Sequence, residues 1–68
     1  MKIEEAILVV LTRRNGGLRT EQIADIINRE HLFVCRNGSP VTSSFVYRTV
    51  MTFPDTFVCT AGRVYLMI

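Results

Sequence analysis

The hydrophobic period of this chain changes at Pro54. Before it, apolar residues recur three and four positions apart; after it, "TFVCT" and "RVYLMI" alternate around Ala61-Gly62. A period near 3.6 buries one stripe of a helix, and a period of two buries one face of a strand. Pro54 disfavours helical geometry at the residue before it, so the last helix must stop there. The remainder reads as a hairpin over about residues 56–67, with Gly62 supplying the positive φ of its turn. Phe57 and Cys59 share a face of its first strand, and Val64, Leu66 and Ile68 share a face of its second.

Three helices fit upstream. Ile3, Ala6, Ile7, Val10 and Leu11 form a stripe that predicts a helix over about residues 2–14. Arg13 and Arg14 complement the negative end of its dipole, and Asn15, Gly16 and Gly17 stop it. Thr20 is the expected cap of a second helix reaching about Glu30, with Ile23, Ile26 and Ile27 inward. Leu18, just ahead of it, covers the end of the core, with a very short strand as one option. The β-rich stretch "HLFVCRNGSPV" contains Asn-Gly, a strong turn signal. Val41 fits as the residue before a Thr42 cap, packing on Val46 as a hydrophobic staple. The third helix then runs over about residues 43–53, with Val46, Val50 and Phe53 inward. Phe57, Val64 and Leu66 are expected to pack on the first and third helices.

The chain has 68 residues, one small domain at the size where a single core is marginal. Its apolar fraction of 49% favours collapse over disorder. Cover from a second copy would help, and a homodimer at micromolar concentration is expected. The net charge of +2 is mildly basic, and seven of the eight cations are arginines, suited to planar recognition of phosphate, carboxylate or guanine. The opening MKIEE does not resemble a secretory leader, and "AILVVL" is far too short to cross a membrane. A cytoplasmic location with Cys35 and Cys59 as free thiols is the expectation.

The order of three helices and a terminal hairpin is that of a winged helix-turn-helix, an α+β fold. "RNGSPVTSSFVYRTVMTFPDTFVCTAGRVYL" also resembles the winged-helix modules of the HARE type, found beside restriction endonucleases and in chromatin-associated regulators. The likeness rests on Asn37, Gly38, Ser39, Pro40, Val41, Phe53, Pro54, Phe57, Gly62 and Leu66, with "TEQIADIINRE" ahead of them. It implies the fold, and through the fold a DNA-binding role. Two positions depart from the pattern: Phe45 stands where a polar residue such as Gln is common, and Thr49 where Arg is common. The arginine here is Arg48, one place earlier, which rotates the side chain by ~100° about the helix.

Ser44, Arg48 and Thr52 share the face of the third helix opposite its inward stripe. Arg48 can meet a guanine edge, with Ser44 and Thr52 at phosphates or bases. Arg63 at the wing tip and Arg19 near the start of the second helix are placed for phosphates, and Tyr47 at the edge suits DNA or protein. Phe45 and Met51 flank the trio; with Val9 and Met67 they form a candidate dimer or partner surface. Val9 points away from its helix's apolar stripe, and Phe45 and Met51 have the alternative of folding under the β-rich loop. His31, Cys35 and Cys59 do not make four metal ligands in tight spacing, so no metal is expected. No cofactor is implied. With one histidine, no phosphate loop and no paired carboxylates in a cleft, neither catalysis nor a small-molecule substrate is expected. DNA binding through the third helix and wing is the leading expectation, and a protein-interaction module without nucleic acid is the alternative.

Overall fold

A computed structural model of the protein describes residues 1–14 and 17–67. Helices α1 (Ile3–Arg13), α2 (Thr20–Glu30) and α3 (Ser43–Thr52) precede strands β1 (Phe57–Thr60) and β2 (Arg63–Leu66). The strands pair antiparallel, with Phe57 opposite Leu66 and Thr60 opposite Arg63. This is a small α+β fold with the layout of a winged helix. No described helix is long and apolar enough to cross a membrane.

The core lies where the three helices meet the hairpin. Ala6, Ile7, Val10 and Leu11 enter it from α1, Ile23, Ala24 and Ile27 from α2, and Val46 and Val50 from α3. Phe57 and Val64 close it from the hairpin, and β2 packs on α1 while β1 packs on α3. Leu18 pairs with Val64 through two backbone hydrogen bonds, its N–H donating at 3.1 Å and its carbonyl accepting at 2.7 Å. The short strand expected at Leu18 is therefore a single antiparallel bridge that ties the α1–α2 connection to the wing.

Several local expectations change. Helix α2 starts at the expected cap itself: Thr20 is its first residue and Arg19, one residue earlier, occupies the cap position. An arginine has no acceptor to offer a helix N–H, and Gln22 instead reaches back to accept the Arg19 N–H at 3.0 Å. Glu5 does the same for Lys2 at the start of α1. The β-rich stretch after α2 forms no strand; it turns, with His31 left-handed at the end of α2 and the Gly38 N–H donating to the Cys35 carbonyl. Phe53 leaves the inward stripe because the backbone abandons helical geometry there, at φ −119° and ψ 66°, ahead of Pro54. It is exposed, and Thr49 takes the buried place. The expected roles of Asn15, Gly16 and Ile68 lie outside the described residues.

The hairpin turn has positive φ at both central residues, 53° at Ala61 and 79° at Gly62. That is the signature of a type I′ turn, which favours Asn-Gly because alanine is strained at positive φ. Ala61→Asn is therefore expected to stabilise the protein by about 1 kcal/mol and to raise its Tm by roughly 4–8 °C in a thermal melt.

Candidate nucleic-acid interface

Helix α3 is held at both its start and its inner face. The Thr42 hydroxyl accepts the Phe45 N–H at 3.1 Å, capping the first turn. Val41, just before the cap, is buried, and its N–H and carbonyl are both bound by the Asn28 side chain, at 2.8 and 2.9 Å. An amide on α2 thus pairs with one residue of the α2–α3 connection much as a neighbouring strand would. Val46, Thr49 and Val50 form the buried stripe, and the Thr49 hydroxyl donates to the Phe45 carbonyl at 2.8 Å. No buried side-chain nitrogen or oxygen among the described residues lacks a partner.

The opposite face of α3 is open. Ser44, Tyr47, Arg48, Met51 and Thr52 are all exposed there. Three of the expected contributions differ in detail. The Thr52 hydroxyl donates to the Arg48 carbonyl at 2.8 Å, so its proton is committed and only its lone pairs face outward. A phosphate needs a donor; on this face Ser44 and Arg48 supply it. Phe45 is half-buried and packs edge-on against Phe33, with ring centroids 6.0 Å apart. The α2–α3 connection covers one side of it and leaves the rest half-exposed. Val9 is half-buried too, because α1 is packed by α2, α3 and β2. Its neighbour Leu8 is the exposed apolar residue of that helix, whereas Met51 and Met67 are exposed as expected.

Arg63 is exposed, yet its guanidinium donates to the Gly17 carbonyl at 3.3 Å. The wing arginine lies back toward the α1–α2 connection, leaving four of its five N–H groups for other acceptors. Arg19 projects from the start of α2. Two ion pairs are formed among the described residues, Arg13 with Glu30 and Arg29 with Asp25. Arg19, Arg36, Arg48 and Arg63 have no carboxylate partner among the described residues.

Charge is divided unevenly along the chain. Residues 1–30 hold five cations and five acids, whereas residues 31–68 hold three arginines against Asp55 alone. The stretch from His31 to Pro54, which includes all of α3, has no acid. The outward face of α3 therefore offers positive charge from Arg48 and no acid of its own, and the acid beside it is Glu4 of α1, on the side of the helix that faces α1. Arg36 is a further exposed cation, in the α2–α3 connection, and was not among the candidates drawn from the sequence. The acid-free run was readable in the sequence; the Asn28 clamp was not, since a single helical amide announces no partner.

No family model, curated protein or solved structure matches this chain.

Proposed function

We propose that the protein binds double-stranded DNA by laying the outward face of α3 in the major groove, with the wing and the start of α2 at the backbone. The observation that carries this reading is the acid-free, outward face of α3, with an unpaired arginine and a free Ser44 hydroxyl on a helix locked at its cap and inner stripe. A helix presented in this way fits the groove, and Arg48 there can donate two hydrogen bonds to one guanine. Arg19 and Arg63, on either side of the α1–α2 connection, are the phosphate contacts. The resemblance of residues 32–66 to HARE-type modules agrees with this reading.

Arg48→Ala is expected to lose about 1–3 kcal/mol on a preferred sequence and to flatten discrimination among sequences. Arg63→Ala is expected to weaken all sequences alike and to reduce the salt slope by about one unit. Fluorescence titrations of labelled duplexes with the two variants read both effects.

Tyr47 and Met51 favour a second reading, in which the same helix face docks on a protein. Large exposed side chains of this kind are common anchors of protein contacts. Met51→Gln separates the two, since it abolishes a protein contact centred on Met51 and leaves an Arg48-centred DNA contact in place.

A further inference from the structure

Between the start of α1 and the end of α3 lies an open hollow of about 330 Å³, with Ile3, Phe45 and Phe53 among its walls and Glu4 and Arg48 at its sides. A second hollow of about 230 Å³ adjoins it across Glu4 and Phe53 and runs over Leu8 to Thr56 and Phe57. Together they make one apolar trough. Its exposed apolar members are Leu8, with 41% of its surface open, and Phe53, with 37%. Met67 stands at the rim, since its N–H donates to the Thr56 carbonyl at 2.8 Å. Glu4 and Arg48 both line the trough, yet they form no ion pair with each other.

We propose that a second copy of this chain occupies the trough, as a two-fold dimer in which Glu4 of each copy pairs with Arg48 of the other across Leu8 and Phe53. A two-fold contact requires a surface complementary to itself, in which residue i meets j and j meets i. The trough meets that condition: Glu4 on the α1 side and Arg48 on the α3 side have no ion-pair partner among the described residues, and apolar side chains lie between them. Nucleic acid would meet Glu4 and Glu5 here and be repelled. A partner with only basic or only acidic charge would leave one wall unmatched. The proposal moves the centre of the expected dimer surface from Val9, which the fold half-buries, to Leu8 and Phe53, with half-buried Phe45 in the trough wall. It stands independently of DNA binding, although Arg48 belongs to both surfaces and the dimer is accordingly a DNA-free form.

Sedimentation equilibrium on the full chain tests it. The wild type is expected to self-associate to dimers at micromolar to hundreds of micromolar concentration. Leu8→Gln, an exposed substitution, is expected to weaken association about tenfold or more, as loss of a central apolar anchor does. Val34→Gln, more exposed still at 64% but outside the trough, is expected to leave it unchanged. Glu4→Arg and Arg48→Glu are each expected to weaken the dimer, and the double variant to recover it, with circular dichroism reporting that each variant folds. A clean 7.8 kDa species at hundreds of micromolar overturns the proposal. So does a dimer indifferent to Leu8→Gln, or a double variant no better than the single ones. Leu8 is away from the outward face of α3, so Leu8→Gln keeps the salt-dependent DNA contact. At concentrations where the dimer forms, it strengthens apparent DNA binding by releasing Arg48. At concentrations below dimerisation the titration is unchanged, and the two readings fail separately.

Discussion

Asn28→Ala is expected to destabilise the protein by about 2–4 kcal/mol in urea denaturation. The Asn28 amide satisfies both the N–H and the carbonyl of Val41, and both bonds are partly screened from water. Its removal strands two backbone groups, each at a cost of about 1–3 kcal/mol when water cannot replace the lost partner. Partial access of water sets the expected total in the lower half of the roughly 2–6 kcal/mol that two such groups would cost. A core of this size rarely supplies more than about 3–5 kcal/mol of net stability, so much of the native population should be lost. Asn28→Asp should fall between wild type and Ala. Its carboxylate still accepts the Val41 N–H but turns a second acceptor toward the Val41 carbonyl. The consequence reaches function, because Val41 precedes the Thr42 cap that fixes the start of α3.

Gly17→Ala is expected to cost a similar amount, about 2–5 kcal/mol. Gly17 has φ +76°, where an L side chain is strained, and an added Cβ would lie 2.4 Å from Cε2 of Tyr65. The left-handed backbone accounts for about 1–2 kcal/mol and the displaced ring for about 1–3 kcal/mol. A double-mutant cycle separates them: in a Tyr65→Ala background the clash disappears and only the backbone strain should remain. The ring of Tyr65 on Gly17, the Leu18–Val64 bridge and the Arg63 bond to the Gly17 carbonyl together fasten the wing to the α1–α2 connection. The position of the wing relative to α3 therefore depends on a glycine far from both in sequence.

The helix and hairpin boundaries were legible because period and punctuation agree. Pro54 ends α3, Thr42 caps it, and alternation marks β1 and β2, each within about two residues of its expected limits. The less legible features depend on contacts between distant segments. On α1, the centre of the outward face falls between Leu8 and Val9, and packing by three neighbours decides that Leu8 stays open. On α3, Phe45 belongs by its helical angle to the flank, and only the return of Phe33 from the preceding connection settles its burial. Thr49 looks like a polar outward residue until its hydroxyl finds the Phe45 carbonyl within its own helix, which lets it lie in the buried stripe. Of the candidate DNA contacts, Ser44, Tyr47, Arg48, Arg19 and Arg63 are all exposed, and Thr52 keeps its place with its proton already donated.

The measurement that bears most directly on the central claim is titration of a labelled duplex with the wild-type protein at two salt concentrations. If Arg19, Arg63 and one further cation each neutralise a phosphate, affinity should fall roughly 40-fold between about 50 and 200 mM salt, at a slope near −0.9 per contact. No binding at the lower salt, or binding whose strength ignores salt, would contradict the assignment of α3 and the wing to DNA.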